Sequence, residues 1–169
     1  RTDRRRCDVC LRCVDACPTG ALDAGPGGVA RIDARRCRSY LSIERRGVLE
    51  PAQRAWLGDA LFGCDACVAA CPFNRFAPDE GLAELEVRVP PVLDAVNLLQ
   101  LDGPAFQTLF RDTPLTHTRR RGLLRNAAAV LANGGDRGAL PALRHAAAED
   151  PDEVVRAQAS EAVEHLEMI

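Results

Sequence analysis

Cysteine is the residue type in this chain whose number and spacing point most directly to chemistry. The 169 residues include eight cysteines, and all of them lie within the first 71 positions. The full set is Cys7, Cys10, Cys13, Cys17, Cys37, Cys64, Cys67 and Cys71. C-x2-C pairs are too tight for routine disulfide bridges. The N-terminus, RTDRRRCDVC, has no following apolar stretch of a secretory signal, so we expect a cytoplasmic chain whose thiols bind metal.

The first four cysteines have the spacing of a bacterial ferredoxin. The run CDVCLRCVDACP reads Cys7-x2-Cys10-x2-Cys13-x3-Cys17-Pro18. In this pattern three thiolates on a tight loop bind one 4Fe–4S cluster, and the fourth thiolate binds the other cluster. Two C-x2-C pairs are also able to hold zinc through four thiolates. Zinc leaves the other cysteines and the proline unexplained, so the sequence favours iron–sulfur ligation.

A second run, GCDACVAACPFNR at 63–75, has the same ending but lacks the first cysteine, because Leu61 occupies that position. Exchanging the fourth cysteines completes one ligand set: Cys7, Cys10, Cys13 and Cys71. The other set is one thiolate short: Cys17, Cys64 and Cys67. Cys37 remains, and it is the fourth ligand if the site is complete. The alternative is a lone buried thiol, since free cysteine packs like a small hydrophobic residue.

Short elements must position these cysteines. We predict a helix from about Cys13, a strand in VARID after the GPGG turn at 25–28, and a helix in PAQRAWLGDAL that begins at Pro51. The predicted fold class is α+β: a two-cluster ferredoxin-like domain followed by an all-α HEAT-like repeat module. The predicted boundaries are 1–78 for the cluster domain, 79–91 for an acidic, proline-bearing linker and 92–169 for the helical module.

The helical half contains two segments that resemble each other. LLRNAAAVLANGG and VVRAQASEAVEHL align at an offset of 31 residues, which places Arg125 over Arg156 and Ala128 over Ala159. This period, with small residues on one helix face, is typical of HEAT-type repeats. The alternative is a pair of unrelated alanine-rich helices. Glycines after Asn133 predict the end of the longer helix.

Charge gives a local signal rather than a global one. The net charge is −2 and the pI is about 6.0, so the whole chain carries no electrostatic signature of nucleic-acid binding. A basic cluster nevertheless stands at the start of the long helix: His117, Arg119, Arg120, Arg121 and Arg125. Such a cluster either binds phosphate or forms an ordinary solvated face. No apolar stretch is long enough to predict a membrane span.

In combination, these residues resemble the epoxyqueuosine reductase family of cobalamin-dependent enzymes in queuosine-tRNA biosynthesis. The resemblance rests on four stretches in order: CDVCLRCVDACPTGAL, RRCRSYLSIERRG, FGCDACVAACPFNR and RRRGLLRNAAAVLANGGD. RCRSYLSIE is the most specific of them, because it carries the isolated Cys37 and generic two-cluster ferredoxins lack it. Phe73 departs from the tryptophan usual in the family, and we expect this change to be neutral for packing.

The resemblance implies a ferredoxin-like domain, a HEAT-like domain that grips tRNA, and an N-terminal cobalamin-binding domain that this sequence does not contain. We therefore expect a piece of a longer protein, with no catalytic residue in it, that alone does not reduce epoxyqueuosine. The implied mechanism takes electrons from an external low-potential donor through two 4Fe–4S clusters to cobalamin, which drives removal of the epoxide oxygen. We expect a monomer.

The resemblance also implies roles for particular residues. The eight cysteines hold the two clusters in the sets given above. The residues expected to face cobalamin are Ser39, Cys64, Asp65 and Ala66. The residues expected to contact tRNA are His117, Arg119, Arg120, Arg121 and Arg125.

Two other functions stay open at this point. The first is a stand-alone or subunit-type two-cluster ferredoxin whose helical tail docks onto a protein. The second is a corrinoid-linked relative such as a reductive dehalogenase, which has no need of an arginine-rich repeat module.

Overall fold

The computed structural model describes residues 10–26, 30–76, 89–90 and 92–169. Within this range the chain is mostly helical, with one small antiparallel sheet. The elements of the first half are α1 (Arg12–Asp15), β1 (Leu22–Ala24), β2 (Ala30–Ile32), α2 (Arg38–Ile43), α3 (Pro51–Leu57) and α4 (Ala66–Ala69). The helices of the second half are α5 (Ala95–Leu99), α6 (Gly103–Phe110), α7 (Arg119–Asn133), α8 (Leu140–Glu149) and α9 (Glu153–Met168). No helix among the described residues is long and apolar enough to cross a membrane.

The sheet is a two-stranded hairpin that precedes α2. β1 pairs with β2 in the register Leu22↔Ile32, Asp23↔Arg31 and Ala24↔Ala30. The strand predicted in VARID is thus present over Ala30–Ile32, whereas its partner β1 was not predicted. Three residues are too few to show the alternation of polar and apolar side chains that identifies a strand. Two of the four residues of the predicted turn at 25–28, residues 27 and 28, lie outside the described residues.

Helix α3 begins at Pro51, as predicted, because its start is built by a capping box. The Glu50 side chain accepts from the backbone of the first turn, and the Glu50 N–H donates to the Gln53 side chain at 3.2 Å. The helix ends at Leu57, four residues earlier than the predicted PAQRAWLGDAL. Gly58 follows it with φ of 61°, a left-handed conformation that glycine adopts without steric cost.

The second half is a layered bundle whose core lies between α7, α8 and α9. Ala128 on α7 and Ala159 on α9, the pair aligned at the offset of 31, are both completely buried, so small side chains do lie between packed helices. Arg125 is also buried, but its counterpart Arg156 is half-buried and donates to the Asp150 carbonyl at 2.7 Å. The aligned arginines therefore have different roles, and the HEAT-like assignment stays a prediction.

The two halves pack directly against each other. Leu41, Leu49 and Leu57 from the first half form a cluster with Ala129 of α7. The buried Arg54 of α3 donates to one side chain on α7 and one on α9: Nη1 to Asn133 at 2.6 Å and Nε to Glu161 at 2.9 Å. The predicted linker 79–91 lies outside the described residues except for 89–90, so the domain boundary stays a prediction.

Candidate functional site

The first cysteine run forms a tight turn around α1. Leu11 precedes the helix with φ of 46°, which is unusual for a residue with a side chain. The N–H groups of Val14 and Asp15 both donate to the Leu11 carbonyl, at 2.9 and 3.1 Å. Cys10, Cys13 and Cys17 are half-buried along this turn. Cys7 lies outside the described residues, so its place in the first ligand set stays a prediction.

Hydrogen-bond donors surround the sulfur of Cys17. Burial raises the pKa of its thiol, but the backbone N–H groups of Leu22, Thr19 and Ala21 and the Thr19 hydroxyl, which is 3.7 Å from Sγ, bring the pKa below its usual value. Donors directed at a sulfur stabilise the thiolate, which is the form that binds metal. The same kind of hydrogen bond tunes an iron–sulfur cluster.

The isolated Cys37 lies near the second cysteine run. Burial raises the pKa of the Cys67 thiol above its ordinary value, and the nearby thiols of Cys64 and Cys37 raise it further. Cys37 immediately precedes α2, and Cys64 and Cys67 flank the start of α4. Cys37 and Cys64, which come from separate segments, therefore lie near enough to Cys67 to act on it electrostatically.

The other predicted set draws on both runs. α1 and α4 contact each other, which places the two cysteine runs side by side. Cys10 and Pro72, the residue after Cys71, line one small crevice of about 250 Å³ together with Phe73 and Phe76. This neighbourhood is what the exchange of fourth cysteines requires.

The donor set fits iron–sulfur clusters. Each cysteine that the structure describes is a half-buried free thiol, neither locked in a disulfide nor sealed from the surface. Thiolates are the ligands that such clusters take. As the side chains stand, no group of three or more His, Cys, Asp or Glu within the described ranges is arranged to hold a single metal ion.

Residues predicted to face cobalamin lie on two sides of the second cysteine run. Cys64 and Asp65 border an open crevice of about 700 Å³ whose walls include Leu61, Phe62 and Leu93. Ser39 and Ala66 are half-buried but do not line this crevice.

Residues of both halves line a second groove, which has a volume of about 600 Å³ and is rich in arginine. We call it the basic groove; its arginines are Arg45, Arg46, Arg119, Arg120, Arg121 and Arg125. Asp152 is the acidic residue among its described lining. Arg45 and Arg46 were missed in the sequence, although they stand together in SIERRG, because their partners are more than 70 positions away. His117 is exposed but does not line the groove.

The groove arginines are not equivalent. Arg120 forms a bidentate ion pair with Asp150 and donates to the Leu101 carbonyl at 2.6 Å. Arg121 pairs with Asp152 at 2.6 Å, and this hydrogen bond raises the pKa of Arg121. The side chains of Arg46 and Arg119 are exposed, and neither guanidinium makes a hydrogen bond or ion pair with any residue that the structure describes.

Arg125 does not have the exposed, ligand-binding position that the sequence predicted for it. It is 1% exposed, and its guanidinium donates to the carbonyls of Leu41, Arg45 and Gly47 at 2.6–3.1 Å. Burial, with the charges of Arg45 and Arg46, lowers its pKa to about 10. Because all these bonds are internal, Arg125 stabilises the junction between the halves and does not present a free cation to a ligand.

Comparison with known families defines the class of protein. A family model described as "4Fe-4S double cluster binding domain" matches residues 6–74. A second model, described as "Required for nuclear transport of RNA pol II C-terminus 2", matches residues 142–167. The first match, together with the thiols above, makes this chain a double-cluster iron–sulfur protein.

Relatives along nearly the whole chain give the family. Epoxyqueuosine reductase of Alicycliphilus denitrificans is 37% identical over 160 residues, covering 89% of this chain and 43% of the relative. A solved structure of the Bacillus subtilis enzyme matches 95% of this chain with a TM-score of 0.78 and 31% identity. A solved epoxyqueuosine reductase carrying an epoxyqueuosine-modified tRNA-Tyr stem loop matches with a TM-score of 0.76 and 31% identity. The chain is homologous to epoxyqueuosine reductases along nearly its whole length.

The match covers only part of the length of these relatives. The chain spans 43% of the Alicycliphilus denitrificans protein and 42% of each of the two solved chains. It therefore spans less than half the length of the relatives it matches.

Proposed function

We propose that this chain is the electron-transfer and tRNA-docking portion of a cobalamin-dependent epoxyqueuosine reductase, an oxidoreductase that converts epoxyqueuosine to queuosine in tRNA. The observation that carries the proposal is the link between the Cys37 segment and the second cysteine run: the Gly63 N–H, next to Cys64, donates to Ser42 of α2 at 2.9 Å, and Cys37 and Cys64 both raise the pKa of Cys67. A generic two-cluster ferredoxin has no need of a cysteine displaced into a separate helix start. Ferredoxin-like and HEAT-like architectures for the two halves, and a monomeric state, belong to the same proposal.

The proposed cluster ligands keep the two sets read from the sequence. The first set is Cys7, Cys10, Cys13 and Cys71, and the second set is Cys17, Cys37, Cys64 and Cys67. Backbone donors around Cys17 favour its thiolate, and half-burial of the cysteines limits the access of water. An external low-potential donor supplies the electrons. Exposed Phe73 and Phe76 beside Cys10 offer an apolar contact for such a protein near the first set.

Ser39, Cys64, Asp65 and Ala66 form the proposed cobalamin-facing side. An exposed Asp65 carboxylate and an apolar wall at Phe62 and Leu93 stand next to the second cysteine run. These residues suit one side of a flat, partly polar macrocycle held mainly by another part of the protein. When bound, cobalamin supplies the metal centre at which the epoxide oxygen is removed. The part played by this chain is to hold its thiols close and exclude water from them.

The basic groove is the proposed tRNA interface. Arg46 and Arg119 are the exposed arginines of its described lining whose guanidinium groups make no hydrogen bond or ion pair with a described residue, so they are available for phosphate at no cost in broken bonds. Arg119 also has φ of 60° at the start of α7, and residues held in such strained conformations cluster at functional sites. Arg120 and Arg121 contribute less because Asp150 and Asp152 already neutralise them. His117, beside the groove, is a peripheral contact.

The experiment combines metal content with RNA binding. The chain is reconstituted anaerobically, its iron is counted, and its affinity for a tRNA anticodon stem loop is measured over a range of salt concentrations. About eight irons per chain, with an affinity that falls steeply with salt, are expected. Zinc, or about half of that iron, overturns the two-cluster assignment. A full iron content without RNA binding favours the alternative, a ferredoxin-type carrier whose helical tail docks onto a protein.

A further inference from the structure

Ser42 lies where the two halves meet, and its polar side chain is completely buried. Its hydroxyl accepts a hydrogen bond from the Gly63 N–H at 2.9 Å and donates one to the Ser39 carbonyl at 3.2 Å. Gly63 directly precedes Cys64, and Ser39 lies two residues after Cys37. One hydroxyl therefore ties together the two segments that deliver Cys37 and Cys64.

The backbone of Ser42 is held from the opposite side by the second half of the molecule. Its carbonyl accepts hydrogen bonds from Thr118 Oγ1 at 3.0 Å and from Asn126 Nδ2 at 2.8 Å. Asn126 also donates to the Leu61 carbonyl at 2.8 Å, two residues before Gly63. Thr118 and Asn126 are both buried, so water does not compete for these bonds.

A helical serine often bonds back to the carbonyl three residues earlier, and the bond to Ser39 is of that kind. The bond to Gly63 is different, because it spans 21 residues and reaches the loop of the second cysteine run. The backbone of Gly63 has φ of 74°, a conformation that glycine adopts more readily than other residues. The Ser42 hydroxyl thus holds the loop at Gly63 from a distant segment of the chain.

The structure assigns Ser42 as a positioning residue for the Cys37–Cys64–Cys67 half-site, an inference that rests on the proposed second ligand set. Cluster potentials depend on hydrogen bonding and solvent exposure. Loss of the hydroxyl leaves the Gly63 N–H without its acceptor and loosens the loop before Cys64. Water that enters there stabilises the more negatively charged reduced state, so the potential measured for this half-site rises.

The test is a potentiometric titration of the anaerobically reconstituted chain, followed by EPR. The signal that disappears in Cys37→Ala identifies the second cluster. In Ser42→Ala this signal is expected to move to higher potential while the other signal stays in place. Thr118→Val, which removes one of two donors to the Ser42 carbonyl, is expected to give a smaller shift in the same direction.

Thr116→Val is the matched control. It makes the same isosteric change two residues away, but Thr116 Oγ1 donates to the Thr113 carbonyl at 2.8 Å and not to Ser42, so no shift is expected. Unchanged potentials in Ser42→Ala overturn the inference, and so do equal shifts of both signals. If Ser42→Ala does not fold, the other two variants decide: the inference stands if Thr118→Val raises the potential of the second cluster and Thr116→Val does not. It is overturned if the two variants give the same potentials. An unmodified chain that binds no 4Fe–4S cluster overturns the proposed function instead.

Discussion

The two halves of this molecule are stabilised in different ways. α1 and α4, which carry the cysteine runs, are four residues long and bury none of their side chains completely. α7 and α9 are 15 and 16 residues long and share a core of fully buried leucine and alanine side chains. Four-residue helices are not stable in isolation. We therefore expect the first half to depend on cluster ligation and on contacts with α7, whereas the second half is held by its own core.

Removal of the clusters is expected to give the largest difference in stability between the two halves. Metal ligation and folding are coupled wherever a site cannot form from packing alone. We expect amide hydrogen exchange in residues 10–26 and 64–76 to become fast in the metal-free chain, while α7–α9 stay protected. Exchange that is equally fast in α7–α9 would contradict this division, and unchanged protection around the cysteines would show that packing alone holds the first half.

Cys37→Ala sharpens the comparison within the first half. The variant removes one thiolate of the second set, so iron content is expected to fall from about eight to about four per chain, or one of two EPR signals to be lost. Cys13→Ala is the reciprocal variant and is expected to remove the other signal. If Cys37→Ala retained both signals and all its iron, Cys37 would be a packed thiol and not a ligand.

Arg125→Ala tests how far the first half relies on α7. Three backbone carbonyls lose their donor, one buried and two partly buried, and a buried side chain is removed, so we expect a loss on the order of 4 kcal/mol in the free energy of unfolding, measured with urea. Arg156→Ala, the aligned position on α9, is the matched control and is expected to cost about 1 kcal/mol, because one half-buried hydrogen bond is lost. Equal costs for the two variants would contradict the structural role assigned to Arg125.

Arg119→Glu is expected to change the free energy of unfolding least among these variants. Its effect is expected on the affinity for tRNA. Loss of one phosphate contact is expected to weaken binding of a tRNA stem loop about tenfold and to reduce the salt slope by about 1. Arg46→Glu is expected to act similarly. Arg137→Glu makes the same charge change at an exposed position outside the basic groove and is expected to leave binding nearly unchanged. Equal losses in Arg119→Glu and Arg137→Glu would remove the groove from the interface.

Much of the local structure could be predicted from the sequence, because its causes are local. Pro51 begins α3, and the glycines after Asn133 end α7, through backbone preferences of a few neighbouring residues, whereas the end of α3 at Leu57 was predicted four residues too late. The hairpin partner of Ala30–Ile32 was missed, because a three-residue strand has no readable periodicity. Arg125 was misread for a related reason: an arginine in a basic run has the same local pattern whether it is solvated or buried.

By itself, the sequence determined the kind of chemistry to expect: cysteines at short, regular spacings with a following proline are typical of iron–sulfur clusters. Only the tertiary structure decided which distant groups meet. It placed Cys37 beside Cys64 and Cys67, brought Arg46 to the groove of Arg119, and turned Arg125 inward. These outcomes depend on packing between segments far apart in the chain, where burial and hydrogen bonding rather than local spacing set the free energy.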